Sequence, residues 1–104
     1  MIIVVSSAAG TAPSVTLEEP DDCKGFHLEA RGVDRNGVSN ALRDSDTGSL
    51  SGEDAYITPQ AVHRMAAGSV SDDWAERFAG MVGYAATKGW VAEDGSIQAH
   101  CVWA

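Results

Sequence analysis

The chain has 104 residues, of which 44% are hydrophobic and 21% are charged, proportions that are typical of a single soluble globular domain. Its 15 acidic and 7 basic residues give a net charge of −8, which repels nucleic-acid phosphates and anionic membranes and argues against both as partners. The apolar residues 2–5 are too few, and lack the basic flank, for a secretory signal, and no transmembrane segment follows. We therefore expect a cytoplasmic protein whose Cys23 and Cys101 are free thiols.

The first third of the chain predicts three short strands. Residues 2–5 and 15–17 are short apolar runs. In residues 26–31, apolar and polar side chains alternate as they do in a half-buried strand. An acidic segment containing Pro20 separates the second strand from the third and is typical of a turn, so these two strands predict a hairpin.

Two polar segments predict loops. Residues 6–14 and 44–54 are rich in small and polar residues, and we expect both to be flexible. Residues 32–54 as a whole give no clear assignment. Within them, one or two helical turns are indicated by three apolar side chains at helical spacing: Val38, Ala41 and Leu42.

A first complete helix is predicted over residues 59–67. Residues 55–57 are strand-like, and Thr58 then provides an N-cap followed by Pro59 at the first helical position. Gly68 ends the helix.

The clearest pattern in the chain predicts a longer helix over residues 72–88. Ser71 is a suitable N-cap, and Gly89 follows the last turn. The apolar side chains recur at helical spacing: Trp74, Phe78, Met81, Val82 and Ala85.

A hairpin with a C-terminal strand is predicted after this helix. Asp94-Gly95 is a strong turn signal, and from Ile97 to Trp103 the side chains alternate with the period of a strand. This alternation places Cys101 inward and His100 outward.

Together these elements predict one α+β domain, residues 1–104, with a small mixed or antiparallel sheet packed on a pair of helices. The order helix, link, longer helix and hairpin resembles that of a winged helix-turn-helix module, although no sequence motif supports it. Asp72-Asp73 and Glu93-Asp94 would then face the phosphates, so we expect no nucleic-acid binding.

Gly80 and Gly83 lie inside the longer helix, where each costs about 1 kcal/mol relative to Ala. The simpler explanation is close packing against another element. The alternative is a ligand pocket between this helix face and the C-terminal strand. Its candidate lining residues are Arg77, Gly80, Tyr84, Trp90 and His100.

Metal binding and acid–base catalysis have weaker support. Cys23, His27, His100 and Cys101 supply ligand atoms, but His100 and Cys101 point to opposite faces of a strand, so we expect no metal and no other cofactor. His27, Glu29 and His100 would gather on one sheet surface if their strands were neighbours, the geometry of a histidine oriented by a carboxylate. No nucleophile or phosphate-loop motif accompanies them, so we assign no catalytic residue.

The function that these observations favour is an acidic protein-interaction or accessory domain that binds another protein or its own copy. The three tryptophans cluster in the last third of the chain, and an exposed Trp90 would serve as an anchor for a partner. The alternative is a small-molecule-binding protein or minor enzyme that uses the pocket beside Gly80 and Gly83.

Overall fold

The structure is a computed structural model that describes residues 1–7 and 12–103. The chain forms a small mixed α+β domain of nine elements. In chain order these are β1 (Ile2–Ser6), β2 (Ser14–Glu18), β3 (His27–Arg31), α1 (Arg35–Asp44), β4 (Gly48–Ser51), β5 (Asp54–Ile57), α2 (Pro59–Ala66), α3 (Trp74–Thr87) and β6 (Ile97–Trp103).

The six strands form one mixed sheet in the order β2-β1-β3-β6-β5-β4. The central strands β1, β3 and β6 are parallel, while β2 pairs antiparallel with β1 and the β5–β4 hairpin pairs antiparallel with β6. The C-terminal strand is therefore an interior strand. Its register places His100 opposite His27 on one side and opposite Asp54 on the other.

One face of the sheet, the covered face, packs against the helices. Alternate side chains of every strand point to it, and they join the buried side chains of all three helices in one apolar cluster. The predicted pair of helices is thus a set of three. The fully buried members of the cluster include Ile3, Val5, Leu28, Ala30, Val38, Leu42, Ile57 and Val62.

The opposite face, the uncovered face, carries polar and charged side chains. Arg31 of β3 reaches Glu18 of β2 through two hydrogen bonds of 2.9 and 3.0 Å and also donates to Glu29 at 2.8 Å. Because β1 lies between β2 and β3, this bridge passes over Val4, which is buried although it points away from the helices. Charged side chains, not a helix, therefore shield this part of the sheet.

The structure confirms both predicted helices, with small differences at their ends. In α2, Thr58 caps the helix by accepting a hydrogen bond from the Ala61 amide. The predicted cap of α3 is wrong: the N-cap is Asp73, which makes no side-chain capping bond. The Ser71 hydroxyl instead lies 2.7 Å from the Asp73 carboxylate.

The predicted hairpin between the second and third strands is wrong. β2 pairs with β1, and β3 pairs with β1 and β6, so the acidic turn carries the chain across β1. The N-terminal strand is the better partner because residues 2–5 are the most apolar run in the chain and belong in the sheet interior. The loop predicted over residues 6–14 falls partly on positions 8–11, which lie outside the described residues.

The loop predicted over residues 44–54 is also wrong, since it contains β4 and the start of β5. The segment before this loop, for which the sequence provides no clear assignment, forms α1. The buried side chains of α1 are Val38, Ala41 and Leu42, the three that indicated helical turns. Edge strand β4 has the sequence Gly-Ser-Leu-Ser, with a single apolar side chain, and tertiary pairing overrides its low strand propensity.

The winged-helix arrangement is not found. The turn at residues 92–95 leads from a single bridge, between Val91 and Ile97, into β6. β6 then continues between β3 and β5, so it cannot project as a wing. Among the helices of the described residues, none has both the length and the apolar character needed to cross a bilayer.

Candidate functional site

Trp90 occupies the junction between α3 and the start of β6. Gly89 turns the chain there with a φ of 79°, a conformation that favours glycine. The Trp90 amide donates to the Ala85 carbonyl at 3.0 Å, and the Trp90 carbonyl accepts from the Gln98 amide at 2.7 Å. The backbone of Trp90 is therefore fixed on both sides, while 44% of the residue stays exposed.

Tyr84 lies beside Trp90 and is 59% exposed. The two rings meet edge to face, with their centroids 6.2 Å apart. They border a small cavity of about 120 Å³, which we name the aromatic cleft. Its other lining residues are Lys24, Gly25, Phe26, Met81, Ala85, Ile97 and Gln98.

A second cavity, the histidine cleft, adjoins the first on the uncovered face. It encloses about 280 Å³ and is lined by Phe26, Asp54, Trp90, Gln98 and His100. The side-chain amide of Gln98 donates through Nε2 to Asp54 Oδ2 at 2.7 Å, and Asp54 Oδ1 lies 3.7 Å from His100 Nδ1. Phe26, Trp90 and Gln98 line both cavities, so the two form one continuous depression.

The structure brings His27, Glu29 and His100 onto one surface, as hypothesised for neighbouring strands. His27 and His100 are direct register partners. The nearest carboxylate oxygens are 4.0 Å away for His27 (Glu29) and 3.7 Å away for His100 (Asp54), beyond the reach of a strong hydrogen bond. Glu29 is bound more closely by Arg31, at 2.8 Å. This arrangement suits the binding of a polar group better than proton transfer.

Arg77 does not line either cleft. Its guanidinium donates to Asp21 Oδ1 at 2.7 Å and lies 3.3 Å from Asp73. The hydrogen bonds that Arg77 and Ser71 donate to Asp21 lower the pKa of this carboxyl group, so they favour its charged form. Arg77 thus anchors the acidic segment between β2 and β3 to the start of α3.

Gly80 and Gly83 face open space. A Cβ atom placed at either position would meet no heavy atom within 4 Å outside the neighbouring helix turns. The predicted close packing at these glycines is therefore wrong, and neither glycine lines the two clefts. Of the five residues predicted to line a pocket, Tyr84, Trp90 and His100 lie along the depression, while Arg77 and Gly80 lie elsewhere.

The cysteines are separated, with Cys23 half-buried and Cys101 buried on the covered face, as the strand alternation predicted. Burial raises the pKa of both thiols, which makes them weak nucleophiles at neutral pH. Among residues 1–7 and 12–103, no three His, Cys, Asp or Glu side chains are grouped closely enough to hold a metal ion.

A further cavity of about 440 Å³ lies on the other side of the turn at residues 92–95. It is shallow, and its walls are mostly the small or acidic residues Ser49, Ser51, Glu93, Asp94 and Ser96, with Tyr56 as the one aromatic ring. Asp94 is already engaged, since its carboxylate accepts from the Ser96 amide at 2.9 Å. Val91 and Ala92 also line it, so polar and apolar groups contribute about equally to its surface.

Sequence reasoning missed Phe26, Asp54 and Gln98 as lining residues. The alternation in residues 26–31 placed Phe26 on the apolar side of a strand, but its position at the strand entrance was not identified. Asp54 and Gln98 meet only because β5 pairs with β6, across 44 residues of sequence. Comparison of the chain with protein families, with curated proteins and with solved structures gave no match.

Proposed function

We propose that this chain is a protein-interaction domain and that the aromatic cleft is the anchor point for its partner. The observation that carries the proposal is the pair Tyr84 and Trp90, two large exposed aromatic residues in contact at the rim of an apolar cavity. Tyrosine and tryptophan beside a small pocket are the residues that most often dominate binding energy at protein interfaces. Met81 and Phe26 extend the same apolar surface.

Taken by itself, the aromatic cleft has the size of a side chain, and only together with the histidine cleft does the depression reach the volume of a small-molecule site. Small-molecule sites usually enclose about 300–1,000 Å³, whereas this cleft encloses about 120 Å³. A cavity of this size accepts one apolar side chain of a partner. The backbone hydrogen bonds that fix Trp90 keep the anchor pre-organised, which reduces the entropy lost on binding.

A second copy of the chain is a less favourable partner than a different protein. Each copy carries a net charge of −8, so two copies repel each other at low ionic strength. Sedimentation velocity at low and high salt tests this point. A dimer that persists at low salt and is lost on Trp90→Ala would identify the copy itself as the partner.

The function is tested by comparing two tryptophans of equal exposure. Trp90 is 44% exposed in the cleft, and Trp103 is 45% exposed at the opposite end of β6. Partners captured from the protein's own cells are identified, purified and titrated against Trp90→Ala and Trp103→Ala. We expect Trp90→Ala to weaken binding by about tenfold or more, as an interface anchor does, and Trp103→Ala by less than about threefold.

Equal losses in the two variants would contradict the proposal, because a general loss of apolar surface would then explain them. The melting temperature of each variant is the control for folding. Binding that is retained in Trp90→Ala would exclude the aromatic cleft as the anchor.

A second candidate function, the binding of a small polar molecule, is supported by the histidine cleft. Gln98 holds Asp54 there beside His100, so donors and an acceptor converge next to the rings of Phe26 and Trp90. Native mass spectrometry of the gently purified protein tests it. Added mass that disappears in His100→Ala but persists in Thr16→Ala, a control on the same sheet face, would favour this function over protein binding.

A further inference from the structure

The chain contains only two lysines: Lys24 lines the aromatic cleft, and Lys88 lies beside Tyr84, one of the residues of the cleft. Lys24 precedes β3 and lines the cleft directly. Lys88 follows α3, and its ammonium nitrogen lies 5.5 Å from the centroid of the Tyr84 ring. Tyr84 relates the two lysines, since it lines the same cavity as Lys24 and carries Lys88 over its ring.

These lysines differ from the arginines that stabilise the fold. Arg31 contacts Glu18 and Glu29, and Arg77 contacts Asp21 and Asp73, so each guanidinium is neutralised. Within residues 1–7 and 12–103, neither lysine ammonium forms an ion pair. In a chain of net charge −8, two lysines without an ion-pair partner thus stand beside the apolar cavity and favour negative charge there.

The complementary ligand therefore combines an apolar group with a negative charge. We propose that the aromatic cleft binds a segment of a partner protein in which a large apolar side chain adjoins a carboxylate. The apolar side chain fills the cavity beside Tyr84 and Trp90, and the carboxylate lies between Lys24 and Lys88. This inference rests on the proposed protein-interaction function and specifies the chemistry of the partner.

The acidic surface elsewhere on the chain adds selectivity to this site. It repels acidic partners at long range, so a carboxylate is favoured only where the lysines stand. Exposed charge pairs are screened as salt rises, with a Debye length of about 10 Å at 0.1 M. The preference for an acidic segment must therefore decrease with ionic strength, while the apolar contribution remains.

Three synthetic peptides test the inference. The first is an acetylated and amidated hexapeptide with one Leu followed by one Glu, and the second replaces that Glu with Gln. The third has no Glu and places the Leu at a free C-terminus, which distinguishes a side-chain carboxylate from a terminal one. Binding is followed by nuclear magnetic resonance at the indole N–H groups, which separates Trp90 from Trp103.

We expect the Glu peptide to bind about three- to tenfold more tightly than the Gln peptide, the range that two exposed charge pairs supply. The preference should shrink between about 20 mM and about 500 mM salt. It should vanish in the double variant Lys24→Ala, Lys88→Ala. It should persist in the control Arg35→Ala, Arg43→Ala, which removes the same charge from the exposed side of α1.

Equal binding of the Glu and Gln peptides, or a preference that survives loss of both lysines, would overturn the inference and leave the proposed function standing. The absence of any shift at Trp90 with all three peptides at about 10 mM would also overturn it. The proposed function would then be judged separately, by the comparison of Trp90→Ala with Trp103→Ala. A C-terminal peptide that binds as tightly as the Glu peptide would assign the carboxylate to a chain end.

Discussion

The two faces of the sheet are built from the same strands but stabilised by different interactions. On β3, Leu28 and Ala30 point to the covered face and are fully buried, while His27 and Glu29 point to the uncovered face and remain partly exposed. Apolar burial holds the first face and hydrogen-bonded charges organise the second. The comparison therefore assigns most of the stability to the covered face and leaves the uncovered face with accessible polar and charged groups.

The candidate site lies where these two faces meet. At the start of β6, Ile97 belongs to the covered face and its neighbour Gln98 to the uncovered face, yet both line the aromatic cleft. Trp90 connects this end of the sheet to α3, because its backbone is hydrogen-bonded to both Ala85 and Gln98. The aromatic cleft therefore takes apolar side chains from the covered face and polar groups from the uncovered face.

The largest effect expected from this comparison follows truncation on the covered face. Leu28→Ala removes a fully buried side chain from the centre of the core and should lower the free energy of unfolding by about 2–5 kcal/mol. His27→Ala, one position away on the other face, should change it by less than about 0.5 kcal/mol. Urea denaturation of the two variants measures both values.

Similar losses of unfolding free energy in Leu28→Ala and His27→Ala would contradict this difference between the two faces, because the uncovered face would then contribute as much to stability as the core. A large loss in His27→Ala alone would indicate that the polar row through His27, His100 and Asp54 stabilises the fold.

A smaller effect is expected at Gly48, where β4 approaches β5. A Cβ atom there would collide with the backbone carbonyl of Tyr56, which cannot move without breaking the strand pair. Gly48→Ala should therefore cost about 1–3 kcal/mol, as overpacking does. Gly83→Ala is the matched control: it lies in helix α3 facing open space and should stabilise the protein by up to about 1 kcal/mol.

Changes in stability of opposite sign in Gly48→Ala and Gly83→Ala would confirm that Gly48 allows two strands to approach closely and that Gly83 has no such role. Thermal denaturation of both variants is sufficient to measure the signs. A destabilised Gly83→Ala variant would instead restore the close packing that the sequence suggested for α3.

The covered face was largely predictable from the sequence, whereas on the uncovered face only the grouping of His27, Glu29 and His100 was anticipated. Apolar periodicity identified the helices α2 and α3 and the inward side of β6, including Cys101, because burial imposes a regular spacing. Strand pairing leaves no such local signal. Neither the β1–β3 pair nor the position of β6 in the sheet interior could therefore be predicted.

The same distinction explains what was found of the candidate site. Tyr84 and Trp90 were identifiable because they are aromatic residues close together at the end of a predicted helix. Asp54 and Lys24 were not, since each reaches the site through pairing between distant strands. Arg77 was misassigned because its helical spacing to Tyr84 does not reveal the acidic segment that binds it.

The smallest effect concerns the charged bridge on the uncovered face and depends on pH. Hydrogen bonds from Arg31 lower the pKa of Glu18 below its ordinary value of 4.5. A carboxyl group whose pKa is lower in the folded state stabilises the protein above the unfolded pKa, and this contribution is lost as pH falls through the folded value. Arg31→Ala should therefore lower the melting temperature modestly at pH 7, by uncovering Val4 and by removing the ion pairs.

The difference in melting temperature between Arg31→Ala and the unchanged protein should narrow as the pH falls from 4.5 through the lower folded pKa of Glu18, because the carboxyl group becomes protonated over this range in the unchanged protein as well. Any difference that persists at the lowest pH measures the shielding of Val4 alone. Arg43→Ala is the control, since its guanidinium lies 3.9 Å from Asp44 in a highly exposed pair. A difference in melting temperature that stays constant from pH 7 to low pH would show that Arg31 stabilises this face only by shielding Val4. Apolar burial would then account for the stability of both faces.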